Sequence, residues 1–467
     1  MLANLSARLI YWTKIALGRT EPTGVGQQRY RRIIHSTVAA AIARGVNLVV
    51  SFVSVPLAVG YLGRDRYGVW VTISSVLVFL SFADLGLGGS LLNALSDAYG
   101  REDRVAAKRY VSSAFWLLCV IALVLWIPFA GAHRWIAAEL FSGSNSGSIR
   151  EESAAAILVA ITIFFLNFPL NLYTQVLTAY QQRTFVNICA IIGSIGNLVA
   201  IIAVIAFKGG LVWLAVGYSG CGLLVSAIAS LWLYCCAKPW LKPSVHSVDL
   251  PLVRNLFGSG WMFLVTSIFW MVNLQTDNII ISHFLGPGEV TPYSISYRLL
   301  SYAVIFQSFA VVALWPAYTE AKARGDIIWI RRAFRANLIF SILSSLPLTI
   351  AFVVFGQQII RWWAGESAVP TFSLLVWMAI WNLMLATVSA GSFLLIAFSR
   401  LTGMTIYGTV TALVNLFLSV VLIQRWGVNG VVIASVLSVG LLSYIPIFFE
   451  AHRTLEQIGK SRATQAV

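Results

Sequence analysis

Apolar stretches of about 20 residues, separated by short polar stretches, follow one another along the chain from residue 34 to residue 449. A helix of that length crosses the roughly 30 Å hydrocarbon core of a bilayer. The stretches do not alternate polar and apolar positions as the strands of a membrane barrel do, so we predict helices. The pattern predicts about twelve membrane spans: 34–59, 67–93, 110–131, 154–177, 184–206, 211–236, 256–284, 291–317, 333–355, 371–397, 402–423 and 429–449.

The two halves of the chain share a pattern of glycine and charged residues. Leu62-Gly63 matches Leu285-Gly286 at a shift of 223 residues (286 − 63). The same shift aligns a polar segment without a gap, since Ser96-Asp97-Ala98, Arg101, Asp103 and Lys108-Arg109 fall on Thr319-Glu320-Ala321, Arg324, Asp326 and Arg331-Arg332. Six spans per half is an even number, so both halves enter the membrane in the same orientation. We therefore predict an all-α polytopic membrane protein with two six-helix bundles related by a parallel pseudo-two-fold repeat.

The polar segments divide the chain into five predicted parts. These are a tail over 1–32, an N-terminal lobe over 33–237, an inter-lobe loop over 238–254, a C-terminal lobe over 255–450 and a tail over 451–467. The longest loop on the outer side, about 132–153, is rich in Ser and Gly, and we predict no fold for it. The sequence contains neither a soluble domain nor a Walker A motif, so we do not expect the chain to hydrolyse ATP.

Composition and charge place the chain in a membrane rather than on nucleic acid. Apolar residues make up 59% of the 467 residues, and 32 Lys and Arg outnumber 17 Asp and Glu. Most of the basic residues fall on segments that share a side with the N-terminus, which is the positive-inside pattern. Both termini are therefore predicted to be cytoplasmic. The five cysteines lie in or at the ends of spans without zinc spacing, so neither a metal, a cofactor nor a disulfide is expected.

Four ionisable residues lie within the predicted spans, namely Arg44, Asp84, Asp277 and Arg298. A charge at membrane depth is costly and usually faces a cavity or a partner. Asn47 shares a helix face with Arg44, and Asp84 is predicted at a similar depth. Asp277 and Arg298 both belong to the outer half of the membrane, with Asn273 one turn before Asp277. Structural ion pairs and transport residues remain two open interpretations of these charges.

None of the four charges has a charged counterpart at the repeat shift. Ser267, Gln307, Ser54 and Ser75 occupy the matching positions of Arg44, Asp84, Asp277 and Arg298. We therefore hypothesise that the two arginines are successive stations for an anionic headgroup that crosses a central cavity.

Two sequence motifs and the residues around them resemble a known family. They are Tyr61-Leu-Gly-Arg-Asp-Arg-Tyr-Gly68, and Asp84-Leu-Gly-Leu-Gly-Gly-Ser-Leu-Leu-Asn93 followed by a charged loop that ends in Lys108-Arg109. Asn273, Asp277, Leu285-Gly286 and Arg298 fit in the second half. Over residues 33–450 the chain resembles the polysaccharide-transport branch of the multidrug/oligosaccharidyl-lipid/polysaccharide exporter superfamily, which includes the Wzx-type O-antigen flippases.

The resemblance implies a fold and an activity. It implies two six-helix bundles around a cationic cavity and alternating access that moves an undecaprenyl-diphosphate-linked oligosaccharide from the cytoplasmic to the outer leaflet of the inner membrane. The product would be O-antigen, capsule or exopolysaccharide. Arg44, Asn47, Asn273 and Arg298 are the expected substrate-binding residues. Asp84 and Asp277 are expected in gating or ion coupling, with a proton or a sodium ion. Membrane lipids, a polysaccharide polymerase and other assembly proteins are expected partners.

Other functions remain open at this point. An ion-coupled exporter of drugs or small cations from the same superfamily should have an acidic or apolar cavity, which two intramembrane arginines disfavour. A membrane-bound polysaccharide polymerase or glycosyltransferase would need a large outer loop or an acidic catalytic cluster, and neither is present. We therefore expect a transporter and no enzymatic activity. A non-transporting scaffold for the assembly machinery would leave the buried charges without a role.

Overall fold

The computed structural model describes residues 25–81, 87–142, 147–249, 251–252, 275–398 and 400–465, and these are helical with short connections and without strands. A Gly63 kink divides α1 into two helices. The helices are α1 (Val25–Leu80), α2 (Leu87–Gly100), α3 (Arg104–Leu140), α4 (Gly147–Leu170), α5 (Leu172–Ala179), α6 (Arg183–Ala206), α7 (Leu211–Trp232), α8 (275–285), α9 (Pro287–Ala323), α10 (Ile327–Ala364), α11 (Phe372–Ala397), α12 (Leu401–Trp426), α13 (Val428–Val439) and α14 (Ile445–Gln465).

Membrane-length helices dominate the part of the chain that the structure describes. Nine helical stretches there are long and apolar enough to cross a bilayer, with α1 counted once across its kink. Their large apolar side chains are exposed along much of their length, as in Val49, Leu123, Leu224 and Leu343. Such surfaces are stable in hydrocarbon rather than in water. The predicted all-α polytopic membrane fold is confirmed.

The helices pack into two units that do not follow the predicted lobes residue by residue. The first unit comprises residues 1–54, 83–131 and 158–261, and the second comprises 55–82, 132–157 and 262–467. The second unit thus includes the part of α1 around its kink and the segment that joins α3 to α4. The lobe boundaries predicted from the sequence remain a prediction.

The first unit has a core of small and branched apolar residues on α2, α3 and α5. Leu87, Leu91 and Leu95 recur every four residues on α2 and are almost fully buried. This spacing places them on one helix face, where they meet the matching face of α3 around Val111. Alanines at Ala107 and Ala114 allow close helix packing, as small residues do in membranes.

A segment of the first unit that contains Pro169 interrupts a membrane-length helix. The helix ends at Leu170, and α5 begins at Leu172 after a turn at Asn171. The carbonyl groups at the break find side-chain donors, because Ser230 Oγ donates to Leu170 O at 2.6 Å and Thr174 Oγ1 donates to Asn171 O at 2.8 Å. Satisfying freed carbonyls in this way is what makes a broken helix tolerable in hydrocarbon.

The second unit has its own core where α9, α10, α11 and α14 meet. Tyr318, Ile330, Leu394 and Ala451 are among its buried residues. Elsewhere in this unit, Asn415 Nδ2 on α12 donates to Ser435 Oγ at 2.9 Å and Ser438 Oγ at 3.2 Å on α13. These buried amide–hydroxyl bonds join helices that have no hydrophobic driving force to associate in lipid.

The prediction of a long unstructured loop over 132–153 is wrong. α3 continues to Leu140 and α4 begins at Gly147, so the described connection between them is short. The apolar run of this span ends near residue 131, but α3 continues to Leu140. A helix can extend beyond the hydrocarbon because its polar side chains are then in contact with water. Arg150 Nη2 donates to Ser142 O at 3.0 Å and Arg66 pairs with Glu152 at 3.0 Å, and these contacts fix the extension.

Candidate functional site

Two equivalent turns of the repeat meet within the second unit. We name residues 62–68 and 285–291 the Gly63–Gly286 cluster. Gly63 has φ of 74° and Gly286 has φ of 91°, so both backbones adopt the left-handed region that favours glycine. The Leu-Gly pair that identifies the repeat in the sequence therefore marks two sharp turns of the same geometry.

Arg64 and Thr291 join the two turns through hydrogen bonds. Arg64 Nε donates to Gly288 O at 2.9 Å, and its Nη2 lies 2.6 Å from Glu289 Oε1. Thr291 Oγ1 donates to Arg64 O at 2.6 Å. Both side chains of the ion pair are about two-fifths exposed, so the two backbone-directed bonds carry more of the stability than the charge pair does.

Gly68 brings the two turns closer than any other residue type could. A Cβ atom at this position would lie 1.7 Å from Pro287 O. The contact fits the repeat, because the residue that matches Gly68 is Thr291 and the residue that matches Pro287 is Arg64. Gly68 lies four residues after Arg64 and contacts Pro287 O, and Thr291 lies four residues after Pro287 and contacts Arg64 O. This exchange of equivalent residues is typical of a two-fold interface.

A buried carboxyl group lies on α8 in the same unit. Asp277 is 3% exposed, and its Oδ2 accepts a hydrogen bond of 2.6 Å from the Tyr293 hydroxyl on α9. Its Oδ1 has no partner among the described residues. The neighbouring Asn278 Nδ2 donates to Ser75 Oγ on α1 at 2.9 Å. The acid thus lies where α1, α8 and α9 meet, nine residues before the turn at Gly286 or about 13 Å along a helix.

Arg44 and Asn47 lie on the first part of α1, in the first unit, and both are exposed. Asn47 Oδ1 accepts a hydrogen bond from Ser194 Oγ on α6. Asn187 Nδ2, also on α6, donates to Ser36 O at 3.2 Å and so holds the same two helices together. These two hydrogen bonds hold the helix that carries Arg44 against α6.

Arg298 lies on α9 in the second unit and is half-buried. It is five residues after Tyr293, and its carbonyl accepts a hydrogen bond of 2.7 Å from Ser301 Oγ. Asp84 and Asn273, which the sequence also singles out, lie outside the described residues. Within the described part of the chain, no three His, Cys, Asp or Glu side chains group to hold a metal ion.

The motif Tyr61–Gly68 contains Arg64, but the sequence assigned no role to this residue. Glu289 and Thr291 look like ordinary loop residues in the sequence, and Tyr293 looks like an interfacial aromatic. The repeat itself is the signal that could have found them, because two equivalent turns on parallel halves can meet about a two-fold axis. Ser75, which matches Arg298 at the repeat shift, contacts Asn278, the residue that follows Asp277.

The fold occurs in transporters of known structure. The chain superimposes on an inward-facing multidrug resistance MATE family transporter of the MOP superfamily with a TM-score of 0.76 and 13% identity, over 90% of this chain and 99% of that one. The lipid II flippase MurJ in its inward closed conformation gives a TM-score of 0.71 and 16% identity, over 90% of each chain.

Comparison of sequences gives the family. A putative O-antigen export protein of Yersinia pseudotuberculosis is 22% identical over 430 residues, which cover 84% of this chain and 94% of that protein. The family model described as polysaccharide biosynthesis protein matches residues 33–322, well over half of the chain. With its motifs, its fold and this match in agreement, the chain belongs to the polysaccharide biosynthesis protein family.

Proposed function

We propose that the protein is a flippase for a lipid-linked oligosaccharide, and that it moves an undecaprenyl-diphosphate-linked glycan from the cytoplasmic to the outer leaflet of the inner membrane by alternating access. The observation that carries the proposal is the placement of Arg44 and Arg298 within membrane-length helices. A diphosphate faces a prohibitive desolvation cost in hydrocarbon, and guanidinium groups bind phosphate oxygens bidentately. Relatives named as O-antigen transporters support the same substrate class.

The six residues singled out in the sequence take two roles in this proposal. Arg44, Asn47, Asn273 and Arg298 bind the headgroup. Asp84 and Asp277 act in gating or in coupling to a proton or a sodium ion. The geometry of Asp277 supports its role, because the carboxyl group is buried and the adjacent Asn278 is bonded to another helix. Protonation of Asp277 or binding of an ion to it would therefore change the contact between α8 and α1.

The Gly63–Gly286 cluster is the gate in this proposal. The positive-inside pattern predicts that both turns face the outer side. Their bonds close that side while the headgroup enters from the cytoplasm, and breaking them releases the headgroup outside. One exposed hydrogen bond, one partly buried hydrogen bond and one exposed ion pair form a contact weak enough to open within a transport cycle.

The experiment measures surface polysaccharide in a strain whose own flippase gene is deleted and replaced by this gene. Arg44→Gln and Arg298→Gln should each abolish the polysaccharide and leave its lipid-linked precursor in the inner leaflet, whereas Arg44→Lys and Arg298→Lys should retain part of the activity. Arg101→Gln is the matched control, since Arg101 is exposed and paired with Asp97 at 2.9 Å.

Two outcomes would contradict the proposal. If the variant with both arginines replaced by glutamine makes normal surface polysaccharide, then these arginines do not bind the headgroup during transport. Export of cationic dyes, without any rescue of polysaccharide by the wild-type chain, would favour the small-cation exporter instead.

A further inference from the structure

Two cations lie over aromatic rings at one end of the first unit, away from all residues assigned above. Lys238 Nζ is 4.1 Å from the centre of the Tyr180 ring, and Arg104 Cζ is 5.6 Å from the centre of the Trp240 ring. The two rings contact each other edge to face at 6.2 Å, and Tyr99 packs on Tyr180 at 4.9 Å. We name these five residues the Arg104–Lys238 surface.

Two neighbouring arginines have acidic partners, whereas Arg104 and Lys238 have none among the described residues. Arg101 pairs with Asp97 at 2.9 Å, and Arg109 lies 3.8 Å from Asp249. Neither Arg104 nor Lys238 forms an ion pair with any residue in the described part of the chain. Partial burial lowers the pKa of the Lys238 ammonium, and the nearby positive charge of Arg104 lowers it further. A site with two like charges that repel each other is stabilised when an anion binds between them.

The segment that carries Lys238 is held firmly against α3. Leu241 is fully buried in the core of the first unit. The Ser244 N–H donates to Ser112 Oγ at 3.2 Å, and the Asp249 N–H donates to Ser113 Oγ at 2.9 Å. Lys238 is therefore presented from a fixed backbone, which reduces the entropy lost when it binds a ligand.

The surface lies at helix ends. Arg104 begins α3, and Lys238 follows the π-helical turn Leu233–Ala237 at the end of α7. The positive-inside pattern predicts that this end faces the cytoplasm, at the level where Trp and Tyr rings favour the bilayer interface. Lipid headgroups occupy that level, and their phosphate oxygens are strong acceptors for guanidinium and ammonium groups.

We propose that the Arg104–Lys238 surface binds the phosphate of an anionic lipid headgroup. The site goes beyond the flippase assignment, and it would exist whatever the chain transports. Only the choice between two lipids that could supply the phosphate rests on the proposed function. An anionic phospholipid would bind as a structural lipid, whereas an undecaprenyl diphosphate would bind as substrate that waits to enter.

The test is native mass spectrometry of the full-length protein in detergent, with lipid added in separate arms. The probes are dioleoylphosphatidylglycerol, undecaprenyl diphosphate and, as an uncharged reference, dioleoylglycerol. Each basic residue near an anionic lipid changes affinity by about fivefold, so Arg104→Gln/Lys238→Gln should weaken phosphate-lipid binding about thirtyfold. Arg104→Lys/Lys238→Arg keeps both charges and should bind within about threefold of wild type.

The chain offers a matched control in Arg101→Gln/Arg324→Gln. These arginines occupy equivalent positions of the repeat, and each has an acidic partner four residues before it. The control removes the same net charge and should retain lipid binding. A thermal unfolding midpoint measured without lipid shows whether the glutamine variant is folded, and the charge-retaining variant tests the site if it is not.

Three outcomes are informative. Charge-dependent binding of both phosphate lipids supports a general headgroup site, and charge-dependent binding of undecaprenyl diphosphate alone supports a substrate entry site. Wild-type affinity in the double glutamine variant, or equal retention of dioleoylglycerol, would overturn the proposal and leave the two cations as clamps for the inter-lobe loop. The result does not depend on flipping, so it can stand even if replacement of Arg44 has no effect on polysaccharide.

Discussion

Replacing Gly68 by alanine should open the proposed gate while it leaves the helix that carries the residue intact. Gly68 lies within a helical part of α1, where alanine is more stable than glycine by about 1 kcal/mol. The same methyl group would lie 1.7 Å from Pro287 O. The substitution therefore favours the local fold and forbids the contact between the two turns, which separates a gating effect from misfolding.

The size of the effect follows from the distances. Real Cβ atoms essentially never approach another heavy atom within 3.0 Å, so the turns must separate by about 1.3 Å (3.0 − 1.7). A rigid separation of that size would stretch the 2.6 Å bond of Thr291 and the 2.9 Å bond of Arg64 beyond hydrogen-bond range. Two such bonds contribute about 2 kcal/mol together, which shifts the closed–open equilibrium about thirtyfold.

Cysteine labelling from outside can measure this shift. Ser75 is 3% exposed and accepts the hydrogen bond from Asn278, so Ser75→Cys reports on access past the gate. It requires a background in which the native cysteines are replaced by serine, namely Cys119, Cys189, Cys221, Cys235 and Cys236. A membrane-impermeant maleimide should label Ser75→Cys slowly in the parent and at least ten times faster with Gly68→Ala.

Gly60→Ala provides the control, because Gly60 lies on α1 just before the kink at Gly63 and a Cβ atom there meets nothing within 4 Å. It should leave the labelling rate unchanged. Equal labelling of Gly60→Ala and Gly68→Ala variants, with normal surface polysaccharide in both, would refute the assignment of the Gly63–Gly286 cluster as a gate.

Two further predictions concern the second unit. Asp277→Asn should abolish polysaccharide export without lowering the thermal midpoint, because the amide oxygen still accepts the Tyr293 bond but cannot carry a charge. Tyr293→Phe should only reduce export, and normal export by Asp277→Asn would exclude ion coupling through this residue. Gly430→Ala should lower the midpoint by several degrees, an overpacking cost of about 3 kcal/mol, because its Cβ would lie 2.2 Å from Leu422 O. Gly408→Ala meets nothing within 4 Å and should unfold like the wild type.

Much of the fold could be predicted because the hydrocarbon core of a bilayer restricts both side chains and backbone. Residues that face lipid must be apolar and the backbone must be helical, so runs of about 20 apolar residues locate the helices. The break near Pro169 follows from the same rule, since proline frees a carbonyl that needs a donor. Helix ends that lie beyond the bilayer are not restricted in this way, because water can satisfy polar side chains and free backbone groups. The extension of α3 to Leu140 could therefore not be distinguished from a loop.

Contacts between distant segments leave a weaker trace in the sequence. Arg64 and Glu289 are 225 residues apart, and nothing local to either residue indicates the other. Tyr293 is 16 residues from Asp277, too far for a helix-spacing argument to join them. The sequence singles out Asp277 because a charge at membrane depth is costly, and the structure buries this carboxyl group. The sequence could not name the hydroxyl group that offsets the cost.

The geometry of the Gly63–Gly286 cluster explains why its two turns cannot have identical side chains. About a pseudo-two-fold axis, residue 65 meets its own equivalent, residue 288, and residue 64 meets the equivalent of residue 66, which is residue 289. Two copies of Arg64-Asp65-Arg66 would oppose Asp to Asp and Arg to Arg. The second turn instead has Gly288, whose added Cβ would lie 2.5 Å from Asp65 Oδ1, and Glu289, which pairs with Arg64. Identical charges at equivalent positions would therefore repel each other at this contact. Gly288 removes the second aspartate, and Glu289 replaces the second arginine with an acidic partner for Arg64.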